Sequence, residues 1–181
     1  MNKLNNLISI VVPVYNESDS IRLLINEIIN VMKSHQLLFE LIIVNDGSVD
    51  STSNVLENLS LEIKQLTVIN LRKNYGQTAA LAAGFDHSNG DIIVTLDGDL
   101  QNDPNDIPKL ITNINEGYDL ICGWRFQRKD KLLNRRIPSQ IANRLIGNVT
   151  GIHLHDYGCS LKAFKHEIIK DIKLYGELHR F

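Results

Sequence analysis

Asp97-Gly98-Asp99 sets two carboxylates two residues apart with a glycine between them. In an extended loop such a pair can face one hard divalent cation, Mg2+ or Mn2+, which prefers oxygen ligands and completes its shell with water and phosphate oxygens. Gln101, two residues further on, can add a carbonyl oxygen. The same triplet also serves as a plain strand-to-helix turn, so its surroundings decide. Four other segments are dense in polar and turn-forming residues: Pro13-Val14-Tyr15-Asn16-Glu17, Asn45-Asp46-Gly47-Ser48, Arg72-Lys73-Asn74-Tyr75-Gly76 and Gly123-Trp124-Arg125.

The elements between these segments explain why they matter together. Short apolar, β-branched runs at residues 8–14, 39–44, 64–70, 91–96 and 120–123 predict five strands buried on both faces. Helical periodicity fills the gaps. Ser18-Asp19-Ser20 offers an N-cap ahead of Ile21, Leu24, Ile25, Ile28 and Met32, and further helices are predicted at 51–59 and 77–87. Asp103-Pro104 opens a fourth, with Ile107, Leu110, Ile111 and Ile114 as its buried face and Gly117 as its stop. This β-α alternation predicts an α/β fold: a mostly parallel sheet with helices on both faces and right-handed crossovers. Each of the five polar segments then follows the carboxyl end of a strand, so all five share one rim, where ligands bind in such sheets. The turn after the first strand lacks G-x-G-x-x-G, and no G-x-x-x-x-G-K-[ST] occurs, so a diphosphate must be held by other means.

Composition bounds the rest. A chain of 181 residues with 43% apolar residues predicts one globular domain spanning residues 1–181. Its 19 Lys and Arg against 21 Asp and Glu give a net charge of -2, which excludes a global positive field for nucleic acid. The two cysteines, Cys122 and Cys159, form no C-x-x-C pair, which fits a reducing compartment. The apolar runs at 7–15 and 37–44 fall short of the about 20 residues that span a bilayer, so a soluble fragment is predicted. The aromatic end at Leu178-His179-Arg180-Phe181 predicts that further segments follow. Residues 125–136 hold Arg125, Arg128, Lys129, Lys131, Arg135 and Arg136 against Asp130 alone. A local +5 of this kind attracts phosphates and anionic lipid headgroups. His153 and His155 flank Leu154 without a third ligand, which is weak grounds for a metal site.

Together with Asp156-Tyr157-Gly158-Cys159-Ser160, the polar segments resemble glycosyltransferase family 2, in particular its polyprenol-phosphate branch. The resemblance covers nearly the whole chain and implies a GT-A (Rossmann-like) fold and an inverting, metal-dependent transfer. A hexose would pass from a nucleotide sugar, UDP- or GDP-linked, to a polyprenyl phosphate at the cytoplasmic face of a membrane. It also implies roles. Pro13, Tyr15 and Glu17 would frame the base and ribose, with Asp46 reading the base edge. Gly98 and Asp99 would lie along the ribose and diphosphate, and Asp97, Asp99 and Gln101 would ligate the metal. Arg125 would contact the diphosphate or the acceptor phosphate, and Asp156 would orient the acceptor or act as a weak base. Asn45 stands where the family often has Asp, and the membrane helices that many relatives carry would lie beyond residue 181. Two other readings are compatible: a soluble family 2 enzyme acting on a saccharide hydroxyl, and a non-catalytic nucleotide-sugar-binding module.

Overall fold

A computed structural model describes residues 6–124 and 158–169. Its elements run β1 (Ile8–Val14), α1 (Ile21–Ser34), β2 (Phe39–Asn45), α2 (Thr52–Glu62), β3 (Leu66–Asn70), α3 (Gln77–Asp86) and β4 (Ile92–Thr95). A 3-10 turn at Pro104–Asp106 leads into α4 (Ile107–Asn115), followed by β5 (Leu120–Cys122), β6 (Lys162–Lys165) and α5 (His166–Ile169). Six strands form one sheet in the order β3-β2-β1-β4-β6-β5. The β1–β2, β2–β3 and β1–β4 pairs are parallel.

Strand alternation sorts the core onto two faces. Ile8, Ile10, Val12, Leu41, Ile43, Ile92 and Val94 pack with α1, Leu56 and Leu59 of α2, and the apolar stripe of α4. Val11, Ile42, Val44 and Ile93 pack with Ala80, Leu81 and Phe85 of α3 and with Ile169 of α5. Both faces are covered, as continuous apolar strands require.

Two features differ from the sequence-based expectation. The last strands are not a parallel continuation, because β6 lies between β4 and β5 and pairs antiparallel with both. β5 therefore keeps the direction of β4, and its carboxyl end still reaches the common rim. β6 is hard to read in sequence because it is short and begins with a lysine, Lys162, that is buried at 4% exposure. Second, Ser20 occupies the N-cap position of α1 without a side-chain cap bond; its hydroxyl donates instead to the carbonyl and carboxylate of Glu17. Asp103 does cap its turn, accepting from the amide of Asn105 at 2.9 Å.

The geometry of β1 opens the site. Its pairing with β4 ends at Val11↔Thr95, whereas its pairing with β2 continues to Val14↔Asn45. Pro13, which has no amide to donate, lies where β4 has already parted. Strand order also reverses between β1 and β4, the switch point at which open α/β sheets bind ligands.

Helix α3 seats closely on the sheet at Gly84, where an added Cβ would stand 2.3 Å from Val11 Cγ1 and 3.3 Å from Val44 Cγ2. Overpacking of this kind costs about 1–3 kcal/mol, against the roughly 1 kcal/mol that alanine gains in helix propensity. Gly84→Ala should therefore lower the unfolding midpoint in urea; an unchanged or raised midpoint would show that the helix seats differently.

Candidate functional site

At the rim between β1 and β4 lies a cleft of about 270 Å³. It is lined by Pro13, Val14, Tyr15, Glu17, Asp46, Asn74, Gly76, Gln77, Ala80, Asp97, Gly98 and Asp99. Seven of the residues singled out in the sequence meet here: Pro13, Tyr15, Glu17, Asp46, Asp97, Gly98 and Asp99. Four of the lining side chains are acidic, and none of the described lining residues is basic. Gln101 does not line the cleft; its side chain is exposed, and its backbone amide donates to Asp99 Oδ1 at 3.1 Å. Arg125 and Asp156 lie outside the described residues, as do the basic run 125–136, His153 and His155.

Each loop is fixed by its neighbours. The amide of Asn16 donates to Ser48 Oγ and that of Glu17 to Thr52 Oγ1, both at 2.9 Å, while Asn16 Oδ1 accepts from Val49. The loops after β1 and β2 are thereby laced together. Asp46, almost fully buried, accepts the amides of Tyr75 and Gly76 on its two carboxylate oxygens, each at 2.8 Å. The structure thus gives Asp46 a task the sequence did not reveal: it clasps the loop after β3. Gly47 completes that contact, since its φ of +68° favours glycine and an added Cβ would stand 2.4 Å from the carbonyl carbon of Lys73.

Asn45 is also explained. Its amide donates to Ser53 Oγ at 2.8 Å and to Asn70 Oδ1 at 2.9 Å, while its oxygen accepts from Ser48. An aspartate has no hydrogen to donate to Asn70, so the amide suits this buried junction. It borders a second, larger groove of about 790 Å³ on the far side of Tyr15, with Arg72, Lys73, Ser48 and Ser53 in its walls. Tyr15 and Asn74 line both spaces.

The acid loop follows β4. Gly98 is buried against β1, and a Cβ there would meet Val14 Cγ1 at 2.8 Å, so the glycine lets Asp97 and Asp99 sit directly over the end of β1. Leu100 adopts a left-handed φ of +61°, uncommon for a side chain of its size. Beyond it, the buried Asn102 donates to Ser160 Oγ at 2.7 Å, and Thr95 Oγ1 donates to the Ser160 carbonyl. The Gly158–Ser160 segment therefore braces the acid loop. Gln77, which periodicity marked only as a helix start, donates from Nε2 to Asp97 Oδ1 at 2.7 Å.

Two carboxylates on a cleft of oxygen and amide groups fit a hard cation in donor chemistry. Among the described residues no group of three or more His, Cys, Asp or Glu gathers for a metal; water or a bound anion can supply further oxygen ligands to a cation held by two carboxylates.

An open sheet whose acid loop stands at its switch point is the architecture of the GT-A glycosyltransferases, and the chain matches solved members in fold. Over 92% of its length it superposes with TM-score 0.71 and 22% identity on 58% of glucosyl-3-phosphoglycerate synthase from Mycobacterium tuberculosis, a structure in complex with Mn2+, UDP and phosphoglyceric acid. A mannosyltransferase from Pyrobaculum calidifontis, in complex with GDP-Man and Mn2+, matches with TM-score 0.67 and 18% identity, covering 96% of this chain and 48% of that one. The family model for glycosyl transferase family 2 matches residues 9–173, and the chain belongs to that family. It is 48% identical over 176 residues to dodecaprenyl-phosphate galacturonate synthase of Rhizobium johnstonii, covering 96% of this chain and 52% of that protein. It is 42% identical over 166 residues to undecaprenyl-phosphate 4-deoxy-4-formamido-L-arabinose transferase of Shewanella sediminis, covering 91% and 50%. The chain thus spans about half the length of the curated relatives it matches. Among the described residues no helix is long and apolar enough to cross a membrane.

Two substitutions test the scaffold. Hydrogen bonds to a charged acceptor contribute about 1.5–3 kcal/mol each, so Asp46→Ala should destabilise by about 3 kcal/mol or more in urea unfolding. Asp46→Asn, which keeps one acceptor oxygen, should cost less. Asp50 is held below its ordinary carboxylate pKa by hydrogen bonds from Thr52 and Ser18, with desolvation opposing. Its charged form is favoured by folding, so this stability is present above the ordinary carboxylate pKa and lost as pH falls through the lowered one. Asp50→Asn should reduce the thermal midpoint at neutral pH, and the gap should close in strongly acidic solution.

Proposed function

We propose that this chain is the donor-binding catalytic portion of an inverting, divalent-metal-dependent glycosyltransferase that moves a hexose from a UDP- or GDP-linked donor to a polyprenyl phosphate. The observation that carries this reading is the cleft itself: Asp97 and Asp99 stand over the end of β1 at the switch point, with no basic side chain among the described lining residues. A donor diphosphate is anionic, and the four carboxylates of this lining repel it unless positive charge enters with it. Asp97 and Asp99 would hold a Mg2+ or Mn2+ ion there; when bound, such a cation offsets the charge that gathers on the leaving diphosphate. The Mn2+ present with UDP or GDP-Man in the two structural neighbours supports this assignment.

The chain's own residues do the rest. Tyr15, 43% exposed at the ridge between the two spaces, offers a ring face to the base. Pro13 and Glu17 frame the ribose, and the Asp46 clasp fixes the loop that brings Asn74 and Gly76 to the same cleft. In the transfer step an oxygen of the acceptor phosphate attacks the anomeric carbon from the face opposite the donor diphosphate. The bond from that carbon to the diphosphate oxygen breaks, and its electron pair leaves on the nucleoside diphosphate. A phosphate monoester is largely dianionic at neutral pH, so this nucleophile needs orientation more than deprotonation. We assign that orientation to Asp156 and the phosphate contact to Arg125. The names of the two sequence relatives support the acceptor class, and the basic run 125–136 fits approach to the cytoplasmic face of an anionic membrane.

Labelled donor and undecaprenyl phosphate, supplied with and without chelator, test the proposal. Product should require divalent metal and fall at least about 100-fold in Asp99→Asn, the scale of loss when one preorganised electrostatic contact is removed. Transfer indifferent to both would overturn the metal assignment. Thermal shift with UDP and with GDP, each with Mn2+, identifies the donor, since a ligand at 100 times its Kd stabilises by about 2.7 kcal/mol. Asp156→Asn should slow a phosphate acceptor modestly; near-total loss would point instead to a hydroxyl acceptor that needs a base.

A further inference from the structure

We infer that Gln77 is a positioning residue for Asp97, orienting its carboxylate by a neutral hydrogen bond that itself adds no charge against a divalent cation. This rests on the metal-dependent reading of the same cleft. Gln77 is the first residue of α3, and Gly76 before it has φ +93°, so the helix begins abruptly at the cleft wall. The Gln77 side chain shares that wall with Asp97, and its Nε2 stands 2.7 Å from Asp97 Oδ1. The donor rides on a rigid support, because α3 is seated against Val11 and Val44 at Gly84. One carboxylate oxygen of Asp97 is therefore held by a helix that belongs to a different crossover from its own loop, which sets the plane of the carboxylate before any ligand arrives.

The chemical type of the donor matters as much as its position. A lysine or arginine at residue 77 would also hold Asp97, but its charge would cancel the carboxylate and compete with a cation. The glutamine amide supplies direction alone. It follows that stability and metal affinity respond separately to substitutions at this position.

The test measures Mn2+ binding to the 181-residue chain by electron paramagnetic resonance of the free ion, with UDP and in parallel with GDP, beside the thermal midpoint of each variant. Gln77→Leu, which removes the donor at similar volume, should weaken Mn2+ binding by about tenfold or more, the scale expected when the hydrogen-bond partner of a ligating carboxylate is lost. Gln77→Lys keeps a donor and should hold or raise the thermal midpoint while weakening Mn2+ further than Gln77→Leu. Mn2+ affinity within twofold of the parent in Gln77→Leu, or unweakened in Gln77→Lys, would overturn the role. Asp99→Asn run alongside separates the two layers. If Asp99→Asn also binds Mn2+ as the parent does, the metal reading itself falls. If Asp99→Asn loses binding while Gln77→Leu does not, only the positioning role falls.

Discussion

Like charge held in a small space is the constraint on which this architecture depends. Glu17, Asp46, Asp97 and Asp99 come from three different loops onto one cleft of about 270 Å³. Carboxylates so gathered repel one another and are costly to desolvate unless hydrogen bonds or a counter-charge offset them. The sheet makes the gathering unavoidable: β1 ends beside β2 while β4 has already turned away, so the loops on either side of the gap converge. Fold and charge are therefore one problem, and the loops are built to solve it.

The solution among the described residues is neutral. Asp46 accepts two backbone amides, Asp97 a glutamine amide, Asp99 the amide of Gln101, and Glu17 the hydroxyl of Ser20. Neutral donors fix where a carboxylate points without cancelling its charge, whereas an ion pair does both. Burial grades the acids accordingly. Asp46 is buried with both oxygens bonded to backbone, which makes it part of the scaffold, while Asp97 is half-buried and Asp99 exposed, in reach of an incoming ligand.

Much of this was legible in the sequence, for physical reasons that can be named. Strands buried on both faces read as unbroken Ile and Val runs, and β1 was placed to the residue. The convergence of polar loops followed from the parallel βα order alone. What escaped the sequence depended on contacts between distant segments. The hydrogen bond from Gln77 to Asp97 spans 20 residues, and the clasp of Asp46 on Tyr75 and Gly76 spans 29 and 30, so no local pattern announces either. β6 was hidden by the buried lysine that begins it, Lys162, a choice that hydrophobic patterning cannot anticipate. Gln101 shows another limit: spacing placed it with the acids, but revealed neither the left-handed Leu100 that turns the chain between Asp99 and Gln101 nor the bond from the Gln101 amide to Asp99.

The insertion of β6 carries one further consequence for how the site is held. Between β4 and β5 it brings the Gly158–Ser160 segment to the carboxyl rim, because an antiparallel strand enters the sheet where its parallel neighbours leave it. Asn102 and Thr95 then bond to Ser160 from the two sides of the acid loop. A parallel strand in that place would have delivered its amino end to the opposite edge and left the loop unbraced. The one departure from parallel order is thus what ties the segment before β6 to the carboxylates after β4, and it makes the rigidity of the acid loop a property of chain topology as much as of local sequence.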